Sequence, residues 1–395
     1  MNLFKNAITF CLISTIVFTN CSSSDGDEKE DPIVDTTMPT ISCTADINVS
    51  VDVFSTGTEV TYTEPVGSDN LPGAVTNQIT GIASGGVFPI GTTTNTFEVR
   101  DAAGNKTSCS FNVIVTQDGP SQSMPYFVET NPTPNGKKWT KVEELSDEFD
   151  DTALDGTKWH NNPATDPFGW YGREPALFDP ENVSVSDGNL RVTVLEYDTP
   201  KTANGKSWTH GGAILRSKAM ASPGWYYECR MKANSTVMSS TFWIAFPFNC
   251  NTGPTRKLEL DIQECVGRVH SGTDSWASKW DNIYHSNARQ NRTCASSETT
   301  TSPKKIDLDE KNHSRYFVYG CWWKSPTEIL FYLDGKHVYT INNPPSTFDI
   351  QGHITMAIET YDWNPIDANN ILKTGSVEER TTKYDWVRTW KLEDE

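Results

Sequence analysis

Leu258-Glu259-Leu260-Asp261-Ile262-Gln263-Glu264-Cys265 alternates apolar and polar side chains over its first six positions. That is the period of a β-strand with one face in a core. Three acids fall within the six positions from Glu259 to Glu264. In a regular strand Glu259 and Asp261 share a face, whereas Glu264 points to the other. A β-bulge after Asp261 adds one residue and returns Glu264 to the same face. Three carboxylates then stack along one strand, where mutual repulsion raises at least one pKa. A retaining glycosidase needs such a pair, one ionised nucleophile and one protonated acid, roughly 5 Å apart. The bland alternative is a solvated polar strand face.

Strand signals continue outward in both directions, in Trp225 to Ala233, Ser240 to Phe246, Phe317 to Trp323, Glu328 to Ile341 and Tyr384 to Leu392. Helical periodicity is nearly absent, so residues 137–395 predict a large all-β, two-sheet sandwich with a cleft on one face. Residues 36–118 carry shorter strands punctuated by Gly, Pro, Asn and Asp, the pattern of a separate small β-sandwich. Cys43 lies near its first strand and Cys109 at the start of its last, so a bridge between them would close most of that module. Residues 119–136, rich in Pro, Ser, Gly and Asn, read as a linker.

The chain of 395 residues is too long for one small module, and 36% hydrophobic with 11% aromatic residues exclude wholesale disorder. A net charge of −18 excludes nucleic acid as a partner unless a local basic patch overrides it. At the start, Lys5 precedes an apolar run from Ala7 to Phe18 and then Cys21. This predicts a signal peptide over 1–20, with lipid attachment at Cys21. The following stretch to residue 35, six acids against one base from Ser22 to Thr37, reads as a solvated tether. An acidic run after a lipidated cysteine resembles the surface-export signal of Bacteroidetes-type lipoproteins. The expected location is therefore the cell surface, anchored in the outer membrane. With Cys11 removed and Cys21 lipidated, seven cysteines remain, so at least one is unpaired.

Residues 36–118 resemble the hyaline-repeat (HYR) module, an immunoglobulin-like sandwich, and read as a spacer or adhesion unit. From 139 to 392 the chain resembles glycoside hydrolase family 16. The resemblance rests on the bulged Glu259-x-Asp261-x-x-Glu264 strand and on ordered agreement of "KWTKVEELSDEFDD", "GGAILRSK", "GWYYECRMKA" and the closing "YDWVRTWKL". It implies a concanavalin-like β-jelly-roll, with Glu259 as nucleophile, Glu264 as acid/base and Asp261 sharing a proton and orienting the nucleophile. Trp170 and Arg173, in a Trp-x-Gly-Arg loop, match a motif of red-algal galactan hydrolases that contacts the non-reducing side of the substrate. Trp243 takes the usual platform position, His285 the leaving-group side with Arg289 four residues on, and Glu359 and Trp363 the last cleft-lining strand. The resemblance further implies a structural Ca²⁺ near Glu148, Gly188 and Asp385, with no cofactor for catalysis. The expected activity is retaining endo-hydrolysis of β-1,4 bonds in agarose by a monomer, with carrageenan-, furcellaran- or porphyran-type galactans as alternatives. Porphyranases carry an Arg two residues after the platform Trp, and Ala245 stands there. Arg256 and Lys257, in an insertion before the acid strand, are expected near the cleft. A glycan-binding lipoprotein without chemistry is the alternative of another class.

Overall fold

The computed structural model describes residues 35–52, 56–118, 123–128, 130–366 and 371–395. The signal peptide, Cys21 and nearly all of the tether lie outside the described residues. The chain divides into two compact units between Asp118 and Gly119.

In the first unit, alternation along Gly91–Arg100 buries Asn95, Phe97 and Val99 and turns Thr96 and Glu98 outward. The strand sits in a four-stranded sheet between Lys106–Asp118 and Val75–Thr80, with Ile47–Asp52 pairing parallel to Lys106–Asp118. Val60, Phe88, Phe97, Phe111, Val113 and Val115 form the core, and the Tyr62 ring meets three of its phenylalanines edge-on. A disulfide joins Cys43 to Cys109 across a Cα separation of 5.6 Å.

The second unit is a sandwich of a ten-stranded and an eight-stranded sheet. The strand Arg256–Val266 lies inside the larger sheet, between Ser239–Ala245 and Ile283–Thr293. Its Leu258, Leu260 and Ile262 face inward to the core shared with the second sheet, beside Tyr227, Phe317 and Trp323. That burial fixes which face the intervening polar residues must take. The closing strand Thr381–Asp394 runs through the smaller sheet, paired on one side with Tyr226–Lys232 and on the other with Asn189–Thr193 and Lys137–Lys141.

Two readings change here. Part of the stretch read as linker is docked: Met124 and Phe127 pack against Trp139, Tyr226, Trp322, Tyr332 and Trp390. The Tyr126 N–H also donates to the buried Glu228 carboxylate at 3.1 Å. The apolar run Met124-Pro125-Tyr126-Phe127-Val128 outweighs the polar residues around it, because its burial removes hydrocarbon from water. The residues predicted to hold Ca²⁺ do not fit a cation. Glu148 takes two N–H bonds from Arg388, and Asp385 takes one from Arg230 at 2.6 Å. Each carboxylate is thus already paired with a guanidinium. Gly188, at φ +64°, serves the turn into Asn189–Thr193.

Of the remaining cysteines, Cys250 and Cys294 form a disulfide that ties the insertion before the acid strand to the end of Ile283–Thr293. Cys229, Cys265 and Cys321 are free and fully buried between the sheets, behaving as small apolar side chains.

Candidate active site

Pairing along the acid strand runs Ala245 with Glu259, Ile244 with Leu260 and Trp243 with Asp261, then skips Ile262 so that Phe242 meets Gln263 and Thr241 meets Glu264. Ile262 is the extra residue of a β-bulge, and it sends its side chain into the core. The pairing with Ile283–Thr293 stops at Asp261 and Asn287, and the Gln263 amide bridges the gap. It donates to the Ile283 carbonyl at 3.0 Å and accepts the His285 N–H at 3.0 Å. Backbone groups that a bulge would orphan inside the sheet are satisfied this way. Glu259, Asp261 and Glu264 consequently line one cleft of about 1030 Å³.

Each carboxylate has different company. Glu259 accepts from Asn291 Nδ2 at 3.1 Å and lies in register with Arg289 on the next strand. Burial, followed by repulsion from Glu264, raises its pKa, while Arg289 and Asn291 act in the other direction. Asp261 is buried between the two glutamates, and desolvation together with both negative charges holds it well above the usual carboxylate range. Glu264 accepts from the Tyr361 hydroxyl at 3.2 Å and lies 3.3 Å from His285 Nδ1. The His285 ring packs on Trp280 with centroids 4.6 Å apart.

The same cleft gathers Trp170, Arg173, Trp243, His285, Arg289, Glu359 and Trp363. In the Trp-Tyr-Gly-Arg loop the glycine is obligatory: Gly172 has φ +129°, and a Cβ there would lie 2.2 Å from the Ala176 carbonyl oxygen. This tight hairpin presents Trp170, braced edge-on against Phe178, and Arg173, whose Nε donates to Glu359 at 2.9 Å. Burial pushes the Glu359 carboxyl up to about 7 against the pull of Arg173. Between its ordinary value of 4.5 and about 7, the folded state therefore holds a proton that the unfolded chain has released. Stability falls as pH rises through that window. Wild type should lose more unfolding free energy between pH 5 and pH 8 in urea titrations than Glu359→Gln does. Equal losses would refute the assignment.

Trp276 and Trp280 also line the cleft and form an aromatic wall with Tyr361 and Trp363, ring centroids lying 4.9 to 6.5 Å apart. Neither is among the site residues expected from the sequence. Their loop, Ser271 to Asn282, holds Gly272, three serines and two aspartates, a composition that marks a loop and not an alternating strand. Arg256 turns away from the cleft to Asp349, Ser346 and Thr347, so only Lys257 of that basic pair faces it.

Residues 139–392 match the family described as "Beta-porphyranase A-D, GH16 domain", and residues 34–115 match the HYR domain. The chain belongs to glycoside hydrolase family 16. Within this family it is 39% identical to β-porphyranase B of Zobellia galactanivorans over 294 residues, which span 73% of this chain and 98% of that one. It is 37% identical to β-porphyranase C of the same organism over 305 residues, 70% of this chain and 85% of the other. Against β-agarase A of Z. galactanivorans the identity is 24%, covering 67% of this chain and 48% of that one. The crystal structure of Z. galactanivorans porphyranase B superposes with a TM-score of 0.63 at 39% identity, covering 69% of this chain and all of that one. The β-agarase A complex with oligoagarose reaches 0.54 at 22% identity, over 68% of this chain and 97% of that one, a likeness of fold. Agarose therefore loses its first place among the expected substrates. Ala245 departs from the porphyranase pattern at one position, and similarity along the whole hydrolase unit outweighs it.

Proposed function

We propose that this protein is a retaining endo-hydrolase of β-1,4-galactosidic bonds in porphyran. The reaction class is supported by the bulged strand that puts three acids on one cleft floor, the substrate by the margin of the porphyranase likeness over the agarase likeness. Asp261, the most desolvated of the three, keeps the shared proton and hydrogen-bonds the nucleophile. The charge of Arg289 and the Asn291 hydrogen bond favour the ionised Glu259 that the attack requires, against burial and the charge of Glu264. Glu259 attacks the anomeric carbon as Glu264 passes its proton to the departing glycosidic oxygen, giving a glycosyl-enzyme ester. Glu264, now a carboxylate held by Tyr361 and near His285, takes a proton from water, which cleaves the ester and restores both groups. Trp170, Trp243 and the Trp276–Trp280–Trp363 wall offer flat apolar faces on which pyranose rings stack.

Ala245 favours a second reading, neutral agarose, because it leaves the cleft one cation short of the porphyranase pattern. Loss of chemistry altogether is disfavoured, since a binding-only cleft has no use for three repelling acids. The full chain expressed in a Gram-negative host should release reducing ends from porphyran at least tenfold faster than from agarose (roughly 1.4 kcal/mol of discrimination). That activity should sit in the membrane fraction and move to the soluble fraction in Cys21→Ala. Faster cleavage of agarose would overturn the substrate, and soluble wild-type activity would overturn the anchor.

A further inference from the structure

On the side of the acid strand away from Trp170 and Arg173, the cleft is basic. Strand pairing sets Lys257 directly opposite Arg292, and Arg289 opposite Glu259, and all three cations line the cleft. Like charges placed directly across a sheet destabilise it. The chain has acids to spare, with a net charge of −18, yet none of the three cations is held in an ion pair among the described residues. The neighbouring Arg256 shows the usual solution, bonding to Asp349 outside the cleft. The carboxylates that feel these charges, Glu259 and Asp261, belong to the acids of the cleft floor, and Glu259 is bonded by Asn291. The Arg289 Nε is buried with no hydrogen-bond partner, leaving donor capacity unspent in the cleft floor. Arg292 is held in place, its guanidinium 4.8 Å from the Phe248 ring, in the segment that the Cys250–Cys294 disulfide pins to the same strand. The Lys257–Arg292 juxtaposition costs folding stability, whereas an anion seated among the three cations would relieve the repulsion and complete their hydrogen bonds.

We propose that Lys257, Arg289 and Arg292 form a subsite for the sulfate ester of the sugar bound across the scissile bond from the one held at Trp170 and Arg173. The assignment rests on the porphyran reading and extends it. The substrate crosses the acid strand, so a sulfate is read beyond the point of cleavage, and charge recognition does not depend on an arginine at Ala245. Guanidinium forks match the oxygen spacing of a sulfate better than that of a neutral hydroxyl.

The test uses the full chain carrying Glu264→Gln, slowed so that binding is read before turnover, and calorimetry with two ligands of equal length: a sulfated porphyran oligosaccharide spanning the acid strand and a neutral agarose oligosaccharide. Adding Arg292→Ala should weaken the sulfated ligand about tenfold and flatten its salt dependence, with neutral binding changed by less than about twofold. Arg256→Ala, which removes an equal charge outside the cleft, should change neither. Equal weakening of both ligands, or no weakening of the sulfated one, overturns the subsite. An enzyme that binds the sulfated ligand through Arg292 but does not cleave porphyran would overturn the proposed activity and leave the subsite standing. Cleavage of porphyran with affinity indifferent to Arg292 would do the reverse, and absence of any binding to the sulfated ligand would overturn both.

Discussion

Glu264→Gln lowers kcat on porphyran by roughly 10²- to 10⁴-fold, the range expected when a positioned general acid is removed, and Glu259→Gln lowers it at least as far. Both substitutions are nearly isosteric. The bulge that carries the acids is held by Ile262 in the core and by the Gln263 amide, neither of which is touched, so the folded state should survive. Roles are separated by azide acting on alanine variants. In Glu259→Ala the anion enters the space the nucleophile left and attacks from its side, giving an α-glycosyl azide. In Glu264→Ala it attacks the glycosyl enzyme from the opposite face, giving a β-glycosyl azide. Product anomers by NMR in the reverse assignment would exchange the two roles, and either Gln variant keeping a tenth of wild-type activity would remove that residue from the chemistry.

The second large effect concerns stability of the first unit. Its core is small, centred on Val60, Phe88, Phe97, Phe111, Val113 and Val115, and domains of this size bury a modest share of their surface. The Cys43–Cys109 disulfide closes a separation of 66 residues, and the entropy withheld from the unfolded chain is worth about 4 kcal/mol. Replacing both cysteines by Ala should lower the melting transition of this unit by roughly 15–30 °C in calorimetry. Hydrolysis of soluble oligosaccharide should persist, because all of the cleft residues belong to the second unit. A shift under about 4 °C would mean that the core suffices without the bridge.

Sequence alone determined much of the site, because its information is local. The alternation Leu258, Leu260, Ile262 orients the acid strand with no help from elsewhere, and the spacing Glu259, Asp261, Glu264 is intelligible only with one extra residue before Glu264. The Trp170 to Arg173 motif was legible as a resemblance carried by four consecutive residues, while its hairpin and the positive φ of Gly172 came from the structure. What tertiary structure decided depends on partners far along the chain. Glu148 and Asp385 read as metal ligands until the fold delivered Arg388 and Arg230 to them. Cys250 could have joined any of several cysteines, and strand order brought Cys294 to it. Met124 and Phe127 looked like linker because the aromatic face that buries them is assembled from residues between Trp139 and Trp390. Lys257 and Arg292 became a pair only when two strands came into register, since electrostatic and packing energies depend on distance in space, to which spacing along the chain is blind beyond a turn or a single strand.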